Sequence, residues 1–329
     1  MRNMIGKGWI VSLTGIFLLT AGCITVNLFP ENKGLVEKDL QPSSAKDKIL
    51  FLPLNGFIGD QEKKGGTPLL SGRKDQVGLI RKEFLKASKD KHIRAVVIMI
   101  DSPGGTVTAS DRIYHQIMNY RQKMHVPVIA FVGDLGASGA YYAAMGTDEV
   151  WAHPTSVVGS IGVMIANIGV EGLMKKVGVT NRTITSGSEK ELGSPMKKMS
   201  PEDRKIFEGL VQDFYDTFLN VVAKNRKIGK KPLVVLADGR VYTASQALRN
   251  RLIDRIGYRD DLVHHLKKNL GVAEVRLVEY QEPDQGSSPL LGMTSSGIDP
   301  FSFANIMALI RTMGPTPLYL WEPGGLSMK

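Results

Sequence analysis

Apolar runs of strand length alternate along this chain with segments whose apolar positions recur at helical spacing. Residues 49–54, 95–100 and 126–132 are nearly continuous in Ile, Leu, Val, Ala and Phe, the pattern of strands covered on both faces. Between them Val77, Ile80, Phe84 and Ala87, and then Ile113, Ile117 and Tyr120, stand three or four residues apart, as on the buried stripe of a helix. Strands alternating with amphipathic helices predict an α/β core with a largely parallel sheet. Ser200-Pro201-Glu202-Asp203 predicts the start of a long helix, with a capping Ser, a Pro in the first turn and acids at the positive end. Its apolar stripe is Ile206, Leu210, Phe214, Phe218 and Val222. A turn at 237–241 leads into a strand, 245–252 reads as helical, and 275–278 reads as a last strand. Beyond Tyr280 the chain is rich in Gly, Ser and Pro, with a short apolar helix expected over 303–310.

The amino terminus has a different pattern. Arg2 and Lys7 precede an uncharged apolar stretch from Ile10 to Ala21, the layout of an export signal. It ends in Thr20-Ala21-Gly22-Cys23, similar to the lipobox of bacterial lipoproteins, in which the Cys becomes the lipidated first residue. The competing reading is an uncleaved anchor, since residues 9–29 are long enough to cross a hydrocarbon core of about 30 Å. Either reading predicts a catalytic part outside the cytoplasm, held at a membrane. Residues 1–23 are then signal or anchor, 24–48 a polar tether, 49–280 the globular domain and 281–329 a carboxy-terminal tail.

Composition narrows the function classes. Of 329 residues 43% are hydrophobic and 22% charged, so a core of ordinary size is expected rather than disorder. Cys23 is the single cysteine, which excludes an internal disulfide and a cysteine-ligated metal site within one chain. No metal motif of the H-E-x-x-H kind is present, and neither a metal nor a cofactor is expected. The net charge of +10 suits an anionic surface. The basic residues are not interleaved with aromatics as on a nucleic-acid platform, so lipid headgroups are the expected partner and nucleic acid is not.

Two glycine-rich turns follow strands: Asp101-Ser102-Pro103-Gly104-Gly105 and Gly133-Asp134-Leu135-Gly136-Ala137-Ser138-Gly139-Ala140. Paired glycines let a backbone approach a ligand closely. A Ser on a tight strand-to-helix turn is placed like a nucleophile, but more often such a Ser is a plain helix cap. The turn is also not a G-x-S-x-G elbow, because residue 140 is Ala. Lys190, near Lys197 and Lys198 in a polar stretch, reads by itself as a solvated surface lysine. His153 follows Ser138 closely and invites a Ser–His reading, against which stands its short Trp-Ala-His-Pro setting.

Taken together and in order, these turns, Ala137-Ser138-Gly139-Ala140-Tyr141-Tyr142-Ala143-Ala144, Ala152-His153-Pro154, Gly159-Ser160-Ile161-Gly162-Val163 and Asp238-Gly239-Arg240-Val241-Tyr242 resemble the signal peptide peptidase A family in its half-size form, over roughly residues 49–280. The resemblance implies the Clp protease/crotonase fold of stacked β-β-α units, with a protruding helix for oligomer contacts. It implies a serine endopeptidase with a Ser–Lys dyad: Ser138 as nucleophile, Lys190 (in Ser186-Gly187-Ser188-Glu189-Lys190) as general base, and Ser160 orienting the lysine. The backbone N–H groups of Gly105 and Gly139 are the expected oxyanion hole. Each such donor is worth ~3 kcal/mol in the transition state. Hydrophobic peptides, including remnant signal peptides, are the implied substrates.

A lysine acts as a base near neutral pH only if it is desolvated, because its ordinary pKa is about 10.4. In the family this chain resembles, the Lys of one subunit or repeat can complete the site around the Ser of the next, so the resemblance implies a ring of identical subunits, which would supply that burial. Within a single subunit the two side chains are expected to lie beyond hydrogen-bond reach. Two other readings share the motifs: a crotonase-type acyl-CoA enzyme, which the export signal disfavours, and a non-catalytic membrane scaffold, which the retained Ser138, Ser160 and Lys190 disfavour.

Overall fold

The computed structural model describes residues 34–60, 75–282 and 316–321. Everything described from Leu35 onward belongs to one compact unit. The export signal, Cys23 and the helix expected over 303–310 lie outside the described residues.

Strand β1 (Val36–Asp39) is followed by β2 (Lys48–Ile58), α1 (Gln76–Ala87), β3 (Ile93–Thr106), α2 (Val107–Met124) and β4 (Val128–Ala137). Then come α3 (Gly139–Ala144), β5 (Glu149–Ala152), β6 (Val157–Gly159), β7 (Met164–Ile165), α4 (Glu171–Lys176) and a 3-10 turn (Ser188–Glu191). The long α5 (Pro201–Arg226) leads to α6 (Lys230–Leu236), β8 (Val241–Thr243), α7 (Ala244–Arg249), β9 (Arg255–Ile256), α8 (Arg259–Leu270), β10 (Arg276–Gln281) and β11 (Pro317–Leu320).

The main sheet runs β1-β10-β2-β3-β4-β5-β9, and every neighbouring pair in it is parallel except β1 with β10. Its strands alternate strictly between two cores. Leu50, Leu52, Leu54, Val96, Ile98 and Ile100 face the side covered by α1, α2 and α3. Ile49, Phe51, Ala95, Val97, Ile129 and Phe131 face the other side, with Leu262 and Leu266 of α8. That two-sided burial explains the unbroken apolar runs.

Two segments differ from the sequence expectation. The stretch 24–48, expected as a tether, contains β1, which joins the sheet by pairing Val36–Asp39 with β10. Its residues are polar because an edge strand is covered on one side only. The strand expected over 275–278 is β10, and it is not the last, because β11 follows within the tail.

The later part of β4 places the site. β4 pairs with β5 over Ile129–Val132, then leaves that partner and pairs with β6 over Leu135–Ala137. β6 in turn pairs antiparallel with β8. The end of β4 therefore lies where the β6–β8 branch leaves the main path of the sheet. The start of α5 matches expectation: Ser200 and Asp203 form a reciprocal capping box and Pro201 stands in the first turn. Only Asp203, Phe218, Leu219 and Val222 of that helix are buried, so its outer half projects from the body.

Candidate active site

Ser138 joins the end of β4 to α3. Its backbone has φ 53° and ψ −117°, a conformation costly for a residue with a Cβ and tolerated where the surroundings impose it. Here its N–H donates to the Gly159 carbonyl at 2.7 Å, and its own carbonyl accepts from Tyr142 N at 2.9 Å. The side chain does not act as a helix cap. Its Oγ is buried and has no hydrogen-bond partner among the described residues. A buried hydroxyl left unpaired costs about 1–3 kcal/mol, so an ordinary structural serine would not be held this way.

The two glycine turns meet at this point. A Cβ built on Gly139 would lie 3.1 Å from the Gly105 nitrogen, and one built on Gly104 would lie 2.7 Å from the Gly139 nitrogen. Gly104 also has φ +100°, which L side chains rarely adopt. The predicted oxyanion donors, Gly105 and Gly139, are thus brought together beside Ser138. Two serines that the sequence reading did not single out hold the turns. Ser102, fully buried, accepts from Gly104 N at 3.1 Å and donates to the Gly56 carbonyl at 2.6 Å. Ser110 Oγ, packed against Gly139, donates to the Thr106 carbonyl at 2.9 Å. Ser102 falls inside the first glycine turn, Asp101 to Gly105; Ser110 had no signal beyond its place one helical turn after Thr106.

Ser160 also has a positive φ, 50°, and its N–H donates to the Arg240 carbonyl at 2.8 Å. It lines a cavity of about 570 Å3 shared with Val163, Met164, Tyr215, Leu320 and Trp321. Asp238, on the same wall, is held down to about 2 by its hydrogen bonds from the Arg240 guanidinium, so it stays ionised.

Lys190 stands apart from this group. It lies exposed on the 3-10 turn Ser188–Glu191, where its N–H donates to the Gly187 carbonyl at 3.1 Å. Since Ser138 Oγ has no partner, Lys190 does not reach it within one chain. His153 is held by local contacts: Nδ1 lies 2.9 Å from Thr155 Oγ1, within hydrogen-bond distance, and the ring packs edge-on against Tyr258. Among the described residues no cluster of His, Cys, Asp and Glu suits a metal ion.

β11 enters the site from the tail. It pairs antiparallel with β3 on one side, Tyr319 opposite Gly105, and with β7 on the other. The Tyr319 carbonyl oxygen lies where a Cβ on Gly104 would collide with it, and 3.0 Å from a Cβ built on Gly139. A strand-length apolar run, Pro317-Leu318-Tyr319-Leu320-Trp321, is visible in the sequence, but nothing there indicates its place.

The arrangement can carry out acyl transfer: a buried, unpaired hydroxyl beside backbone N–H groups at a glycine turn. Comparison with known proteins agrees. The family model Peptidase family S49 matches residues 120–273, and the Clp protease model matches residues 72–159. The chain is 32% identical over 307 residues to the "Putative signal peptide peptidase SppA" of Enterococcus faecium, covering 91% of this chain and 88% of that one. It is 29% identical to the chloroplastic serine protease SPPA of Arabidopsis thaliana, across 82% of this chain and 40% of the plant one. It is 30% identical to protease 4 of Haemophilus influenzae, over 68% of this chain and 35% of that one. The fold is the Clp protease/crotonase type, and the chain belongs to the signal peptide peptidase A group of peptidase family S49, a family of serine-type peptidases.

Proposed function

We propose that this protein is a membrane-associated endopeptidase in which Ser138 is the nucleophile and Lys190 of a neighbouring subunit is the general base. The observation that carries the reading is the Ser138 hydroxyl, buried, unpaired and held in a costly backbone conformation beside Gly105 and Gly139. Such a hydroxyl needs a base to take its proton. Lys190 lies exposed on its turn in one chain. A second copy would provide both the contact and the desolvation that a basic lysine requires. Ile168, Leu173, Val177, Val179, Ile184 and Leu210 are exposed on the same chain, which supports further burial in a closed ring. Ser160, on the cavity wall, would orient the lysine. Hydrophobic peptides, including remnant signal peptides, are the substrates this reading implies.

A fluorophosphonate serine probe tests the assignment. The wild-type protein is expected to label, and Ser138→Ala and Lys190→Ala to lose labelling with the fold intact. Ser160→Ala should retain part of it. Undiminished labelling of Ser138→Ala would remove Ser138 from the mechanism. For membrane attachment, diacylglycerol on Cys23 with residues 1–22 absent is the expected mass of the mature amino terminus. An intact Met1 in membrane fractions would favour the uncleaved anchor.

A further inference from the structure

Positive charge is concentrated in one stretch of this chain. Residues 217–253 carry eight Lys and Arg and one acid, Asp238. Two of those cations are engaged internally, Arg226 with Asp254 and Arg240 with Asp238. The other six, Lys224, Lys227, Lys230, Lys231, Arg249 and Arg251, are exposed, and none has an ion pair among the described residues. Packing joins the elements that carry them. Arg226 Nε, at the end of α5, donates to the Arg251 carbonyl just after α7 at 2.7 Å. The Tyr242 hydroxyl of β8, the strand that leads into α7, donates to the Leu236 carbonyl of α6 at 2.8 Å. Ile228, Leu233, Ala247 and Leu252 belong to one core.

Apolar side chains stand exposed among these cations. α6 buries only Leu233. Val235 is 70% exposed, and Val234 beside it and Leu248 of α7 are exposed as well. Lys230 precedes Val234 by four residues, and Lys231 precedes Val235 by four, so on α6 each cation neighbours an aliphatic side chain on the same face. A soluble polyanion gains nothing from such aliphatic groups. An anionic bilayer does, because its headgroups attract the cations and its acyl boundary takes up the apolar side chains. Lys224 lies about 21 Å along α5 from Leu210, away from the proposed subunit contact. The patch also adjoins the candidate site. α6 ends at Leu236, and the next three residues, Ala237, Asp238 and Gly239, line the 570 Å3 cavity with Ser160.

We propose that the face formed by the end of α5, the outer side of α6 and the end of α7 docks on an anionic lipid bilayer. This role rests on the proposed membrane association and is independent of the Ser138–Lys190 assignment. Contact there holds the cavity about one short helix, roughly 10 Å, from the headgroups, within reach of hydrophobic peptides released from the membrane. Each cation near an anionic leaflet is worth about 5-fold in affinity, and salt screens the attraction.

The test uses the full chain and needs no catalysis. The protein is mixed with vesicles of phosphatidylcholine alone or of phosphatidylcholine with phosphatidylglycerol, and lysine acetylation is read by mass spectrometry. On the mixed vesicles Lys224, Lys227, Lys230 and Lys231 are expected to lose reactivity about 5-fold or more, while the exposed Lys91 and Lys205 change little. High salt should restore the four. Val235→Ser with Leu248→Ser removes the apolar contribution without changing charge; thermal unfolding checks that this variant is folded. Protection by mixed vesicles should weaken several-fold in it, and protection by soluble polyphosphate should stay as in wild type. Equal reactivity of the four lysines on the two kinds of vesicle would overturn the proposal. Undiminished vesicle protection in the serine variant would also overturn it, leaving a general anion surface. Sedimentation with phosphatidylcholine vesicles reports attachment through the amino terminus separately. Sedimentation there with the four lysines still reactive on mixed vesicles keeps the membrane reading and removes the face; protection on mixed vesicles without it keeps the face and removes the amino-terminal anchor.

Discussion

Glu83 is the clearest case of a single residue set against its surroundings. It lies on the inner face of α1, 1% exposed, and neither carboxylate oxygen has a hydrogen-bond partner among the described residues. Burial, with a smaller contribution from Glu282, raises its pKa from 4.5 to about 8. The unpaired hydroxyl of Tyr280 is also part of this environment. The folded chain therefore keeps a proton that the unfolded chain gives up above about pH 4.5. Stability should fall as pH rises from about 4.5 to 8 and show no further loss from this group above that. Glu83→Gln preserves the shape and removes the titration. It should abolish that slope and stabilise the protein at pH 8 by up to about 4 kcal/mol, with little change at pH 4.5. Parallel unfolding curves for the two proteins across this range would refute the account. Ser138 shows the same kind of tension, an unpaired buried hydroxyl on a costly backbone, but there the proposed chemistry accounts for it.

At the scale of elements, α5 combines two roles. Phe218, Leu219 and Val222 anchor its inner half in the core, and Phe214 offers its carbonyl to Tyr319. Its outer half continues the same apolar stripe into solvent, with Leu210 39% exposed and no covering element among the described residues. The stripe expected from Ile206 to Val222 is thus a true helical face, but only its inner end meets this chain's own core. α4 repeats the pattern: it buries no residue, and Leu173 is 62% exposed. These faces are where subunit contacts belong in the proposed ring. Leu210→Asp should leave the unfolding temperature of the subunit within a few degrees and shift the assembly towards monomer, as read by light scattering. A variant that stays fully assembled would move the interface elsewhere.

For the whole molecule, the separation of Ser138 from Lys190 makes assembly part of the proposed mechanism. If each site draws its serine from one subunit and its lysine from the next, inactive Ser138→Ala and inactive Lys190→Ala subunits complement each other. Mixing them under conditions where subunits exchange should restore a fraction of wild-type hydrolysis. The restored activity should vanish in the Leu210→Asp background. Exchange without any recovered activity would confine the dyad to one subunit and require the 3-10 turn carrying Lys190 to move.

Much of this protein is legible in the order of its residues. The apolar runs of β2, β3 and β4 and the helical stripes of α1 and α2 are local periodicities, and burial on two faces follows from them directly. The turns around Gly104, Gly105, Ser138 and Gly139 are also visible there, because they need small residues and positive φ at defined positions, which limits the residue types that fit. The polar β1 and the short β11 are not legible. Their pairing depends on partners far along the chain, β10 for one and the facing edges of β3 and β7 for the other, and no local pattern encodes a distant partner. The same reason explains why only the tertiary structure placed the Tyr319 carbonyl beside Gly104 and Gly139, left Ser138 Oγ unpaired and set Lys190 on a separate exposed turn. Composition and periodicity act along the chain; a site is made by approach through space.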